Sequence, residues 1–137
     1  YCEYIPQVLA ECRRVLKNGG RFLCSTYGKQ HMREITDLVQ QFHKEIVLSA
    51  EVLYERFGLE NGENLLAPYF PEIQMRRYED AIEIAEAEPL ISYILSCHGN
   101  QNQLLLNQYK EFREFVSARV ADGFHITKDA GIFLCRK

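Results

Sequence analysis

Asn18-Gly19-Gly20 separates two segments of different periodicity, and this switch constrains the fold more than any other feature of the chain. Ahead of it, Ile5, Val8, Leu9, Cys12, Val15 and Leu16 recur at three- and four-residue spacing, which predicts a helix from about Ile5 to Leu16. Pro6 suits the first turn, where its missing N–H costs nothing. Arg13, Arg14 and Lys17 fall in the last turn and complement the negative end of the helix dipole. The Asn-Gly-Gly run then supplies a left-handed cap. Behind it, Arg21 to Tyr27 is short, rich in apolar and β-forming residues, and ends at Gly28, as a buried strand does. A helix entering a strand through a Gly-Gly turn implies an α/β layer rather than a helical bundle.

The remaining chain continues in short alternating elements. A helix from about Gln30 to Ile46 places Ile35, Leu38, Val39, Phe42 and Ile46 on one face. Residues 47–58 read as a loop with a short helix around Glu51 to Arg56. Asn61 can cap a helix through Leu65, Leu66 and Tyr69 that Pro71 ends. Ile73 to Tyr78 alternates like a strand, and Ala81 to Ala85 is a second extended run. Pro89 opens a helix containing Leu90, Ile91, Ile94 and Leu95, followed by a long helix from about Asn102 to Ala121. The end reads as a β-hairpin: Phe124 to Lys128, a turn at Asp129-Ala130-Gly131, then Ile132 to Arg136. There is no internal repeat and no Pro/Gly/Ser linker, so residues 1–137 read as a single domain, within the roughly 100–200 residues usual for one.

Composition excludes several function classes. Sixteen Lys and Arg against nineteen Asp and Glu leave a net charge of −3, and the only basic clusters are Arg13-Arg14 with Lys17 and Arg76-Arg77. That is no footprint for a phosphate backbone, so no nucleic-acid partner is expected. No window approaches the ~18 uninterrupted apolar residues of a membrane span. Tyr1-Cys2-Glu3-Tyr4 has neither the basic nor the apolar region of a secretory signal, nor an initiator Met, which suggests a piece of a longer protein. Cys2, Cys12, Cys24, Cys97 and Cys135 are scattered without a CxxC pair, and Cys24 and Cys135 sit in strand-like apolar contexts. They read as reduced, core-packing thiols of a cytoplasmic protein. His31 and Glu34 share a helix face and Cys97-His98 are adjacent, but no further ligands stand at zinc-like spacing, so no metal site is expected.

Leu9-Ala10-Glu11-Cys12-Arg13-Arg14-Val15-Leu16-Lys17-Asn18-Gly19-Gly20-Arg21-Phe22 resembles the E-x-x-R-V-L-K-P-G-G-R-F segment of class I S-adenosylmethionine-dependent methyltransferases. In that family the segment joins the helix after the fourth strand to the fifth strand of a Rossmann-like sheet. Asn18 stands where Pro is usual and is compatible with the same turn. Ser25-Thr26-Tyr27-Gly28 followed by His31-Met32-Arg33-Glu34 is similar to the S-T-x-G-x-x-H-M-x-E-L continuation in one branch. Phe57-Gly58-Leu59-Glu60-Asn61-Gly62, Tyr69-Phe70, Tyr78-Glu79-Asp80 and Glu88-Pro89-Leu90 with Tyr93-Ile94-Leu95-Ser96 fit the same branch. The similarity spans about Gln7 to Ser96.

The family's cofactor site is built by its first two strands, through a Gly-rich turn and an acidic residue that binds the ribose. This chain contains no G-x-G and begins where the family's fourth strand has just ended. The resemblance therefore implies the C-terminal half of a Rossmann-like methyltransferase sheet with flanking helices and a terminal β-hairpin. It also implies that S-adenosylmethionine belongs to the full-length protein, with none bound to this piece, which alone is inactive. In open α/β sheets ligands lie beyond the carboxyl ends of the strands. Thr26 and Tyr27, with Ser25 and Gly28, would then contact a small-molecule acceptor, and His31 would serve as the catalytic base. Equally, His31 can satisfy the helix N-terminus and Thr26 can cap the strand. The helices from Pro89 to Ala121 would cover the substrate mouth, with Tyr93, and also Ser96, Cys97 and His98, lining it; packing and capping are the other reading. The rival function is a non-catalytic dimerisation or partner-binding module, since a sheet without its earlier strands exposes an edge through which a homodimer can form.

Overall fold

The computed structural model describes residues 2–49 and 52–137. Its elements run α1 (Ile5–Val15), β1 (Arg21–Tyr27), α2 (Arg33–Phe42), α3 (Leu53–Arg56), α4 (Gly62–Leu66), β2 (Glu72–Ile84), α5 (Ala87–Ser96), α6 (Gln101–Leu105), α7 (Tyr109–Val120) and β3 (Phe124–Arg136). The fold is mixed α/β around a three-stranded antiparallel sheet in the order β1-β3-β2. β1 pairs with β3 from Arg21 opposite Arg136 to Tyr27 opposite Ala130. The chain divides into two compact units: one gathers the chain up to His31, Leu53–Glu79 and Asp129–Lys137, the other Met32–Val52 and Asp80–Lys128. β2 and β3 each contribute residues to both.

In the first unit the period-2 alternation of the strands decides what is buried. Phe22 and Cys24 of β1, Ile73 of β2, and Phe133 and Cys135 of β3 pack with Leu9 of α1 and with Leu59, Leu66 and Phe70. Phe22 stacks on Phe70 with ring centroids 5.3 Å apart, and Phe57 meets Phe133 edge-on at 5.9 Å. Only part of the predicted α1 stripe is used: Leu9 is buried and Ile5 and Leu16 pack against the cluster, whereas Val15 is 65% exposed. The Asn-Gly-Gly run does not cap α1: the helix ends at Leu16 in extended geometry, its N–H donating to Cys12 O, and the left-handed residue comes three positions later. Gly19 takes φ 73, Gly20 N–H donates to Lys17 O at 2.8 Å, and Gly19 N–H donates to Lys137 O at 3.1 Å. The turn is thereby tied to the end of β3.

Phe133 is seated against Gly62, where an added Cβ would lie 2.5 Å from the ring. Gly62→Ala is expected to destabilise the chain by about 1–3 kcal/mol through overpacking, read from the midpoint of denaturant unfolding. An unchanged midpoint would mean that the ring is not held there.

The second unit is helical. Ile35, Leu38 and Val39 of α2, Leu90, Ile91 and Ile94 of α5, Leu105 of α6, and Phe112, Val116 and Val120 of α7 form its core with Ile46 and Ile126. Here the elements are shorter than periodicity implies. α2 begins at Arg33 rather than Gln30, because Met32 holds φ 56, and it stops at Phe42, where His43 turns extended. The predicted helix from Asn102 to Ala121 is two helices, since Gln108 leaves helical geometry at φ −127. The break leaves Leu106 76% exposed while Leu105 and Phe112 are both buried. Of the short helix expected near Glu51 to Arg56, Glu51 lies outside the described residues and the remainder is α3. Ile73–Tyr78 and the second run up to Ile84 are a single strand, β2, with Ala85 outside it, and its largely exposed side chains suit a sheet edge.

The terminal β-hairpin does not form. Phe124–Arg136 is one continuous strand. A three-residue hairpin turn at Asp129-Ala130-Gly131 needs a left-handed residue, and among the described residues only Gly19, Met32 and Gly123 have positive φ. Instead Ala130 and Gly131 stay in register with Tyr27 and Thr26. Glycine is needed at 131 for close approach, because a Cβ would lie 2.7 Å from the Leu59 side chain and 2.8 Å from Arg76 O. Asp129, 5% exposed, is held by Arg77 Nε at 2.9 Å. Turn-like composition here reflects packing and charge pairing.

Candidate functional site

β1 delivers Ser25, Thr26 and Tyr27 to the carboxyl end of an edge strand, where the chain leaves the sheet through Gly28. Gly28 N–H donates to Asp129 O at 3.0 Å, and His31 N–H donates to Gly28 O at 3.1 Å. This tight turn brings the His31 ring back over Tyr27, stacked with centroids 5.0 Å apart and 26° between planes. Thr26 Oγ1 donates to Phe57 O at 2.6 Å, tethering the segment after α3 to the strand end. The hydroxyl hydrogen is thus committed within the protein, and only its lone pairs remain to accept.

These residues border a cleft of about 470 Å³ lined also by Cys2, Ile5, Leu53, Arg56, Phe57, Ala130 and Gly131. The size is that of a small-molecule site. Arg56 donates to the Cys2 carbonyl at 2.7 Å, which fixes the chain ahead of α1 beside the cleft. The wall is therefore apolar from Ile5 and Phe57, with hydroxyls, an imidazole and a guanidinium as its polar groups.

Of the residues expected at a site, Thr26, Tyr27 and His31 come together here. Tyr93 belongs to the second unit, on α5; it is 44% exposed and its hydroxyl lies 3.8 Å from Met32 Sδ. Ser96 donates to Tyr93 O at 2.7 Å, and Cys97 Sγ lies 3.4 Å from the same carbonyl, as groups closing a helix C-terminus. Sequence reasoning missed Ile5, Arg56 and Phe57. They reach the cleft through long-range folding that no local spacing signals.

Glu34, set beside His31 as a ligand candidate, instead accepts from Thr127 N–H at 3.1 Å and from the Thr127 hydroxyl. Burial pushes its carboxyl up, but the Thr127 hydrogen bonds outweigh this and hold it below the ordinary range. A lowered folded-state pKa contributes stability above the unfolded value and loses it as pH falls through the folded one. The stability difference between wild type and Glu34→Gln should therefore be constant above about pH 5 and close below about pH 4. Chemical unfolding at stepped pH reads this; a gap independent of pH would show that the ionised carboxylate contributes nothing.

Among the described residues no three His, Cys, Asp or Glu side chains gather as metal ligands, and no helix is long and apolar enough to cross a membrane. All five cysteines are free. Burial, reinforced by Cys135 and Cys12, pushes the Cys24 thiol up to about 12, so it carries no thiolate nucleophile near neutral pH. No family model matches the chain, and no curated protein matches it.

Proposed function

We propose that the chain is the C-terminal portion of a class I S-adenosylmethionine-dependent methyltransferase acting on a small-molecule acceptor. The observation that carries this reading is the convergence of Thr26, Tyr27 and His31 on one cleft at the carboxyl end of β1. These are the residues of the S-T-x-G-x-x-H run on which the resemblance rests, and the end of a strand is where α/β sheets bind ligands. β1 is also an edge strand, paired among the described residues with β3 alone, and so has a side open to the strands that precede it in the family.

The cofactor does not fit the residues present. The cleft is lined, among the described residues, by no carboxylate that could take a ribose diol, and the chain contains no G-x-G of the kind that lets backbone approach the cofactor. The reading assigns S-adenosylmethionine to residues ahead of Tyr1. What this chain supplies is the acceptor side. Ile5 and Phe57 exclude water from the cleft wall, Tyr27 holds the imidazole plane by stacking, and His31 accepts the proton that an acceptor hydroxyl or amine gives up.

The test is methyl transfer by the protein that includes the residues encoded ahead of Tyr1, using methyl-labelled cofactor and a pool of small-molecule acceptors. Labelled small molecules are expected; label confined to unreacted cofactor would overturn the reading. The second reading, a homodimerisation module, is favoured by the position of β1 at the edge of the sheet, where its outer side is open to pairing. Light scattering of the 137-residue chain separates the two, since that module must be dimeric and the methyltransferase portion need not be.

A further inference from the structure

We infer that the first unit carries a binding site for a small multivalent oxyanion on the sheet face opposite its apolar core. The alternation that buries Phe22, Cys24, Phe133 and Cys135 turns their neighbours the other way. Arg21 and Arg136 are directly opposed across the antiparallel pair, so two like charges face each other. Such cross-strand pairs are destabilising. β2 adds a third guanidinium. Arg76 and Arg77, adjacent in sequence, go to opposite faces: Arg77 pairs with Asp129 at 2.9 Å and Glu60 at 3.2 Å, while Arg76 lines the same cleft as Arg21 and Arg136.

That cleft has a volume of about 310 Å³ and is completed by Glu72, Gln74 and Leu134. Its one carboxylate, Glu72, reaches Arg136 at 3.5 Å. Among the described residues neither Arg21 nor Arg76 has a carboxylate partner. Three guanidiniums against one carboxylate give a local charge of +2 on a chain whose net charge is −3. Guanidinium groups present paired N–H donors that match phosphate and carboxylate oxygens, and the Gln74 amide adds a neutral donor. An anion bridging Arg21 and Arg136 converts their repulsion into shared attraction. The site is independent of the methyltransferase reading, because it uses none of the residues of the cleft at the end of β1.

The experiment is calorimetric titration of the 137-residue chain with inorganic pyrophosphate, and separately with citrate, at ionic strength matched with sodium chloride. Saturable binding of one anion per chain is expected, and the stronger of the two arms identifies a phosphoryl or a carboxylate ligand. Arg21→Gln should weaken binding about tenfold or more. Glu72→Gln, which removes the only carboxylate in the cleft, should tighten it several-fold. Without anion the thermal midpoint of Arg21→Gln should equal or exceed that of wild type, because the opposed charges are relieved. Absence of saturable binding in both arms would overturn the proposal. So would binding that both substitutions leave unchanged.

Discussion

Replacing Phe133 by alanine is expected to destabilise the chain by about 3–5 kcal/mol, the range for truncating a fully buried phenylalanine. Its ring is completely buried. It stands opposite Cys24 in the β1–β3 pair, meets Phe57 edge-on and fills the space that Gly62 leaves. Because Gly62 has no side chain to move into the space, the cavity left by alanine closes poorly on that side. Leu23→Ala is the comparison, one register position away on β1, on the other face and 53% exposed, and should cost under about 1 kcal/mol. Denaturant unfolding followed by far-ultraviolet circular dichroism gives both values. Equal losses would mean that the two faces of this sheet are equally buried, contrary to the alternation described.

The second large effect concerns the proposed activity. In the protein that includes the residues encoded ahead of Tyr1, His31→Ala is expected to lower kcat/KM for methyl transfer by about 100-fold or more, as removal of a general base does. The ring also stacks on Tyr27, so loss of activity could reflect lost packing. Two readouts separate these roles. Added imidazole should restore part of the rate to His31→Ala, and the acid limb of the wild-type pH profile should vanish in the variant. Unaltered turnover and acceptor affinity in His31→Ala would remove His31 from the mechanism. A rate lost beyond rescue, with the acid limb retained, would reduce it to a packing role.

How much of this was legible beforehand depended on whether a signal was local. The switch from helical to strand periodicity at Asn18-Gly19-Gly20 marked α1 and β1 because both elements and the turn lie within one short run. The same locality placed Thr26, Tyr27 and His31 at one strand end. Long-range demands were not readable. Asp129-Ala130-Gly131 has turn composition, yet Asp129 is there for Arg77 and Gly131 for the approach of Leu59 and Arg76. The pattern from Asn102 to Ala121 is helical throughout, with Leu105 and Phe112 seven apart on one face, yet the chain leaves helical geometry at Gln108, which the periodicity does not signal. Val8 and Val15 belong to the apolar stripe of α1 and are exposed, since only its Ile5–Leu9–Leu16 side meets the core. Arg56 and Phe57 reached the cleft by folding from a segment without periodicity. Arg76 and Arg77 are one basic cluster in the sequence, yet the strand sends them to opposite faces.

The most direct test of the methyltransferase reading is a side-by-side titration with S-adenosylmethionine. One sample is the 137-residue chain and the other the protein that includes the residues encoded ahead of Tyr1. The account expects no detectable binding to the first and saturable binding of one cofactor to the second. Failure of the longer protein to bind the cofactor would contradict it.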